Sequence, residues 1–288
     1  MANFAALMKK QILLGSATFI LAILLFTFGK TSLPKQASSS TSSQMAKVNI
    51  DSVINVAKTN LTPTQLTYVA SLENGVKRGD VQKQQLDAYR ALAGFWKDSG
   101  KSFFPYAHYI SEAAKLENSE KSLTFAGQIF LDNLRGENDP KMLNWETAEA
   151  ESLFERVLKV NPSSIDGRIG LGSAYIFGSR GESTEKVMQG IQQLLSVVRE
   201  DSTNMRAQMM LGIGGTVSGQ YDKAIPRLLK VVQAQPHNVE AVAFLADSYA
   251  AAGNKTEAIH WYNQSKKMMN DKHYSAEVDK RLKQLQGQ

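Results

Sequence analysis

Few residues of this chain have the types and the spacing that catalysis requires. Cysteine is absent from the 288 residues, so thiol catalysis, structural disulfides and Cys-based zinc sites are excluded. The four histidines, His108, His237, His260 and His273, are scattered, and no two of them have the i,i+4 spacing of a helical metal site. We therefore expect no catalytic residue, no metal site and no cofactor.

Two glycine-rich strings resemble phosphate-binding loops in composition but not in spacing. They are "GLGSAYIFG", which begins at Gly170, and "LGIGGTVSG", which begins at Leu211. Neither string follows a strand pattern, and neither has the GxGxxG or Walker spacing. Small residues at contacts between helices account for both strings, and no nucleophile, base and orienting group come together elsewhere. The sequence therefore predicts a protein that is not an enzyme.

The residues between Lys10 and Lys30 form an uncharged apolar run, "QILLGSATFILAILLFTFG". About 20 apolar residues span a bilayer core, so we predict a transmembrane signal anchor at residues 11–29, after a short tail at 1–10. A buried core helix and a cleaved signal peptide are the alternatives. The run exceeds the ~7–15 apolar residues of a signal peptide, and no small-x-small cleavage site follows Phe28.

The anchor leads to a specific expectation about location. Lysines flank the apolar run on both sides, so the positive-inside rule decides little between the two orientations. A short N-terminal tail is readily kept in the cytoplasm. We expect a single-pass protein of the inner membrane whose large soluble domain lies in the periplasm.

The basic charge of the chain is concentrated ahead of the folded part. Residues 1–47 contain five lysines and no acidic residue, whereas the remainder of the chain is nearly neutral. A nucleic-acid-binding protein needs clustered charge on one folded face, so we expect no nucleic-acid partner. Residues 30–47 are rich in serine and threonine and are typical of a flexible tether.

The positions that order the rest of the chain belong to a repeat. From residue 48 onward the apolar residues recur with helical spacing, and no strand pattern is sustained. Two consecutive strings of 34 residues align with one another through Leu211 and Leu245, Gly212 and Ala246, Gly219 and Gly253, Ala224 and Ala258, and Leu228 and Tyr262. The pattern resembles the tetratricopeptide repeat, a hairpin of two antiparallel helices over ~34 residues.

The resemblance implies an all-α fold, namely a tetratricopeptide-type solenoid of helical hairpins preceded by one transmembrane helix. We expect an N-terminal helical cap at residues 48–85 and about five repeat-like helix pairs at 86–273, of which 165–272 are the clearest. A helix at residues 274–288, with an apolar stripe on one side, is expected to cap the C-terminal end.

Two local expectations accompany this reading. Pro226 lies inside the second helix of the fourth unit, which we expect to begin near Asp222, so that the proline falls about one turn in. The first helix of the same unit contains Gly212, Gly214 and Gly215. Because glycine weakens a helix, this helix should be either soft or closely approached by a neighbour.

The function that the resemblance implies is protein binding in the concave groove of the solenoid. The groove positions of the family correspond here to Ile169, Ser173, Ile176, Phe177, Arg206, Met209, Met210, Ile213, Val217, Glu240, Phe244 and Asp247, together with Ala251. This wall is mostly apolar, and methionines adapt to varied partners. Relatives that clamp acidic chaperone tails have lysine, arginine and asparagine at these positions, so we expect no such clamp here.

We therefore expect a membrane-anchored scaffold or assembly factor that binds an apolar segment of another protein. The apolar wall could instead pack against the chain's own N-terminal helices or against a second copy. Two further functions fit the same pattern. They are a periplasmic envelope chaperone, comparable to the repeat-containing subunits of cytochrome-assembly machinery, and a structural protein that associates with itself.

Overall fold

The computed structural model describes residues 48–78, 81–179 and 183–287. Within these residues the chain forms thirteen α-helices and no strand, which confirms the all-α class expected from the sequence. The predicted tail, anchor and tether, at residues 1–10, 11–29 and 30–47, lie outside the described residues. Within the described ranges, no helix combines the length and the apolar character needed to cross a bilayer.

The N-terminal part consists of four helices around one core. They are α1 (Ile50–Lys58), α2 (Pro63–Arg78), α3 (Gln82–Asp98) and α4 (Phe103–Glu117). Helices α3 and α4 form a hairpin, α2 packs against α3, and α1 packs against α4. Trp96, Leu92 and Val69 are fully buried at the centre of this group.

Four further hairpins and one closing helix follow. The helices are α5 (Glu120–Leu134), α6 (Pro140–Val160), α7 (Ile165–Ser179), α8 (Thr184–Glu200), α9 (Met205–Val217), α10 (Tyr221–Ala234), α11 (Val239–Ala251), α12 (Lys255–Met269) and α13 (Lys272–Gln286). The second helix of each hairpin packs on the first helix of the next, and the first helices of neighbouring hairpins also touch. This pattern of contacts between neighbours is that of a solenoid.

Small residues set the distance between the two helices of a hairpin. A methyl group on Gly212 would lie only 2.5 Å from Cγ of Leu228, and one on Gly172 would lie 2.9 Å from the carbonyl oxygen of Gly190. Ala224, a repeat position on the second helix of its hairpin, is fully buried. The two glycines, both identified from the sequence, therefore lie where a larger residue would collide with the second helix of the same hairpin.

Polar caps determine where most helices begin. A side-chain oxygen at the N-cap accepts a hydrogen bond from a first-turn backbone N–H at Asn49, Ser119, Asp139, Ser183, Asn204, Asn238, Asn254 and Asp271. The turns inside the last two hairpins contain Gly219 and Gly253, with φ of +75° and +79°. These two residues are 34 positions apart, and only glycine adopts such a φ readily.

The structure differs from the sequence-based expectation at the start of one helix. Helix α10 begins at Tyr221, which makes Pro226 its sixth residue. The proline therefore lies beyond the four N–H groups that are unpaired in any helix, and it deprives the carbonyl of Asp222 of its usual donor.

Helix α13 closes the C-terminal end of the solenoid. Val278 is buried, and Leu282 and Leu285 pack beside it against the last hairpin. The charged face contributes two ion pairs to neighbouring helices: Arg281 with Asp247 of α11, and Lys266 of α12 with Asp279, both at 2.6 Å. An apolar face packed on the last hairpin and a charged outer face are what the end of a solenoid requires.

Candidate functional site

The concave face of the solenoid is formed by the first helices of successive hairpins, α5, α7, α9 and α11. The predicted groove residues differ in accessibility. Six of them are buried: Ile169, Ser173, Ile176, Met209, Met210 and Ile213. Phe177, Glu240, Phe244 and Asp247 are half-buried, whereas Arg206 and Val217 are exposed. The apolar wall is thus largely covered in the described structure, and its role in binding stays a prediction.

The burial of this wall has a steric cause. A methyl group on Gly214 would lie 2.8 Å from Cδ1 of Ile176, so α9 sits directly on the side chains of α7. On the other side of α9, a methyl group on Gly215 would lie 3.1 Å from Cβ of Ala224. Of the two expectations for this glycine-rich helix, the structure shows the close approach.

Helix α5 contributes accessible residues to the concave face that sequence reasoning missed. Phe125 precedes Gly127 by two positions, as Gly170 precedes Gly172 and Met210 precedes Gly212. The same register places Thr124, Gln128 and Leu131 on the face. Gly127 could have identified which residues of α5 face the groove, because it corresponds to Gly172 and Gly212 of the later hairpins. A methyl group on Gly127 would lie 2.7 Å from the ring of Phe154.

Two cavities remain along this face. The larger, about 650 Å³, is an open groove lined by residues of α5 together with Asp166 and Arg206, and the Phe125 side chain is 54% exposed in it. The smaller, about 250 Å³, we call the chamber. Its lining is Gln128, Leu131, Arg135, Ser173, Met205, Arg206, Met209, Met210, Gln235, Asn238 and Glu240.

Side chains cross the concave face at two places. The guanidinium of Arg206 donates to Asp166 of α7 and to Gln128 of α5, both at 2.8 Å, and so separates the open groove from the chamber. At the other end of the chamber, Arg135 forms an ion pair with Glu240, 105 residues further along the chain. We call this pair the latch.

The latch lies over the middle of the concave face. The Arg135 guanidinium carbon is 4.8 Å from the centre of the Phe177 ring, which belongs to α7. A cation over an aromatic face adds a modest attraction. The latch therefore connects the second hairpin to the fifth above the two hairpins between them.

Two cations of the face are paired within the chain. Arg206 and Arg135 each pair with a carboxylate, whereas Lys121 of the open groove has no ion pair among the described residues. An acidic ligand would have to displace Asp166 or Glu240 to reach either arginine. The face thus suits an uncharged or mixed segment better than an acidic tail.

One predicted groove residue is engaged elsewhere. The Asp247 carboxylate accepts hydrogen bonds from the Tyr262 hydroxyl and from Arg281, both at 2.6 Å. Burial, and then the hydrogen bond to Asp247, raise the pKa of the Tyr262 phenol well above its usual value. Asp247 therefore fixes the capping helix α13 to the last hairpin through its bond with Arg281.

Among the residues described, no group of three or more histidine and acidic side chains is placed to hold a metal ion. The face offers instead an exposed aromatic ring, a chamber with thioether and leucine side chains, and paired charges at its edges. These are features of a surface that contacts another polypeptide.

Comparison with known proteins gives one match to a family model. The tetratricopeptide repeat model matches residues 218–276. This range covers the later part of the first 34-residue string and all of the second. No curated protein sequence matches the chain.

Several solved structures are similar in fold. A thermophilic TPR protein of Thermus thermophilus is 14% identical, with a TM-score of 0.52, and the match covers 72% of this chain and all of that one. MamA from Desulfovibrio magneticus RS-1 (19% identity, TM-score 0.46) is covered over 96% of its length and 65% of this chain. PilW, a type IV pilus biogenesis factor, is 17% identical, with a TM-score of 0.46 and coverage of 92% and 69%. At 14% identity, the similarity to the Thermus structure shows a shared fold and carries no information about partners.

Proposed function

The chain is a tetratricopeptide repeat protein, and we propose that it is a membrane-anchored scaffold that holds a segment of another protein in the open groove of its concave face. Tetratricopeptide proteins generally mediate contacts between proteins and are not enzymes. The single observation that carries the proposal is the half-exposed ring of Phe125 in a groove of about 650 Å³. Aromatic side chains are enriched at protein interfaces, and Phe125 lies inside a groove that a partner could fill.

The residues that line the groove indicate what kind of partner segment would fit it. Phe125 offers an apolar contact, whereas Lys121, Asp166 and Arg206 line the same groove with both signs of charge. We infer that the partner contributes an extended segment with one large apolar side chain and polar flanks.

The membrane part of the proposal rests on the sequence of residues 11–29, which are apolar and uncharged. Such an anchor, in the inner membrane with the repeats in the periplasm, would hold the groove near its partners and raise their effective concentration. A topology reporter fused after residue 288 tests the orientation. Activity of a cytoplasm-specific reporter at this position would overturn the periplasmic placement.

Site-specific cross-linking in intact membranes tests the groove. A photoreactive amino acid replaces Phe125 in the full chain. The matched control replaces Met188, a partly exposed residue on α8, the second helix of its hairpin. We expect a distinct adduct from position 125 that is absent from position 188. The same adducts from both positions, or none from 125, would contradict the groove as binding site.

The identity of the adduct separates the related functions. One or a few defined proteins indicate a scaffold or assembly factor. A broad smear that increases when secreted proteins misfold indicates an envelope chaperone. An adduct with twice the mass of the chain indicates self-association.

A further inference from the structure

A third cavity lies among the four N-terminal helices and shares no lining residue with the open groove or the chamber. It has a volume of about 410 Å³, within the ~300–1,000 Å³ range of sites for small ligands. Each of α1, α2, α3 and α4 contributes to its lining, and the cavity lies beside the packed core of the group, with which it shares Leu92. Ile54, Val76 and Leu92 provide its apolar walls.

The charges inside this cavity cancel one another. The Lys58 ammonium lies 2.7 Å from one Glu73 carboxylate oxygen and 2.8 Å from the other. The Tyr109 hydroxyl also donates to Glu73, at 2.9 Å, and burial followed by the negative Glu73 raises the pKa of this phenol far above its usual value. The three side chains form a closed, neutral network, and the two other charged residues of the lining, Asp51 and Lys77, have opposite charges, so the cavity as a whole has no net charge.

Two polar aromatic side chains of the cavity are left without partners. Among the described residues, none hydrogen-bonds the Tyr89 hydroxyl or the His108 imidazole, and both groups line the cavity. Burial lowers the pKa of His108, outweighing the nearby Glu112 and Glu149, and burial raises that of Tyr89. Both side chains are therefore neutral at pH 7, and each can donate and accept a hydrogen bond.

The rings of the cavity form one connected aromatic surface. The Tyr89 and Tyr109 rings have centroids 6.4 Å apart, and the His108 ring is 5.1 Å from that of Tyr109. Such spacing suits edge-to-face contacts with a further ring. The cavity therefore combines apolar walls, aromatic rings, neutral hydrogen-bonding groups and no net charge.

We propose that this cavity binds a neutral aromatic group with a hydrogen-bonding edge, of the kind that tyrosine and tryptophan side chains present. The group reaches the cavity either as a free small molecule or as one residue of a polypeptide. Its ring packs among Ile54, Val76 and the two tyrosines, and its polar edge pairs with Tyr89 and His108. This site is separate from the groove, so the failure of either proposal leaves the other intact.

Histidine-selective NMR of the full chain in detergent or nanodiscs tests the proposal. The chain has four histidines, and His→Gln variants assign their imidazole signals. The probes are N-acetyl-L-tyrosinamide and N-acetyl-L-tryptophanamide, with the charged compounds benzoate and benzylamine as controls. We expect saturable shifts of the His108 signal with the neutral probes, no shift with the charged ones, and no change at the other three histidines.

Variants then identify the contacts, with affinity measured by isothermal titration calorimetry, which does not depend on the His108 signal. Tyr89→Phe removes one hydroxyl, His108→Gln replaces the imidazole, and each should weaken binding about three- to tenfold, the effect of one hydrogen bond. The matched control is Tyr68→Phe, because Tyr68 is half-exposed and does not line the cavity. Circular dichroism verifies that each variant is folded.

The outcomes are distinct. A His108 signal unmoved by both neutral probes overturns the proposal, as does unchanged affinity in both folded cavity variants. A peptide Gly-Gly-Trp-Gly-Gly that binds as tightly as the free amide indicates a polypeptide source, whereas binding of the amide alone indicates a small molecule. Both of the latter results support the site.

Discussion

At the scale of single residues, Glu146 of α6 has the environment that responds most directly to pH. Its side chain is fully buried; Oε1 accepts a hydrogen bond from Asn133 at 2.7 Å, and Oε2 has no partner among the described residues. Burial raises the pKa of this carboxyl to about 7, the Asn133 bond opposes the rise, and the negative Glu137 adds to it. The protonated form is thus favoured in the folded protein.

Glu146→Gln should therefore stabilise the protein at neutral pH. The carboxyl ionises near its ordinary value of 4.5 in the unfolded chain and near 7 in the folded one. Its contribution is complete below pH 4.5 and is lost as the pH rises towards 7 and beyond. We expect a higher melting temperature for the variant at pH 8, by a few degrees, and almost no difference at pH 4.

The control for this experiment is Glu155→Gln, on the same helix but exposed. Thermal unfolding followed by circular dichroism at pH 4, 6 and 8 gives the comparison. A Glu146→Gln difference that is constant across this range would show that the buried carboxyl does not titrate as the structure implies.

A pair of glycines offers a second prediction at the residue scale. A methyl group on Gly94 of α3 would touch nothing within 4 Å, whereas one on Gly170 of α7 would lie 2.1 Å from the Phe154 ring. Because alanine is the better helix former, Gly94→Ala should stabilise the protein by about 0.5–1 kcal/mol. Gly170→Ala should destabilise it by about 1–3 kcal/mol through overpacking. Urea unfolding measures both, and changes of the same sign would contradict the helix spacing described.

At the scale of elements, α13 should be needed for stability as well as for solubility. Deletion from residue 272 onward removes Val278 and its neighbours from the last hairpin and exposes Tyr262 and Ala258. It also removes Arg281, which leaves the half-buried Asp247 without its cation. We expect a lower melting temperature and a greater tendency to aggregate than in the full chain.

A milder variant separates packing from charge at this helix. Arg281→Gln retains the apolar stripe and removes the ion pairs of Arg281 with Asp247 and Glu277, so its melting temperature should lie between those of the full chain and the truncation. A truncated protein that melts like the full chain would show that α13 is not a cap.

The elements also show what the sequence could and could not predict. The hairpins were readable because Gly212, Ala224 and Gly219 have counterparts 34 residues later, and each has one steric role. Burial of Ile176 could not be predicted, because it depends on how closely α9 approaches α7. The N-terminal cavity gave no signal either, since its residues come from four helices that match the repeat loosely or not at all.

At the scale of the whole molecule, the latch should restrain the pitch of the solenoid. Because the chain has no cysteine, introduced cysteines can be spin-labelled uniquely; Asp132→Cys on α5 and His237→Cys before α11 are both at exposed positions. Glu240→Lys replaces the attraction to Arg135 by repulsion. We expect the distance distribution between the labels to become longer and broader than in the parent protein.

Restoration tests the cause of this change. Arg135→Glu combined with Glu240→Lys re-forms a pair of opposite charges and should return the distribution towards that of the parent. Asp222→Asn, an exposed change on α10, should leave it unchanged. A distribution that is the same in Glu240→Lys and in the parent would show that the latch does not hold the second and fifth hairpins together.

The latch also makes the chamber a ring around whatever occupies it. The free end of a polypeptide can be threaded through a ring at any time, whereas an internal segment between two folded domains can enter only while the ring is open. An exposed ion pair of this kind is worth about 0.2–1 kcal/mol, so the ring opens often and entry is slowed only slightly. Because the same opening admits and releases an internal segment, Arg135 and Glu240 slow its entry and its exit by the same factor, and they change the kinetics of a complex without changing its affinity.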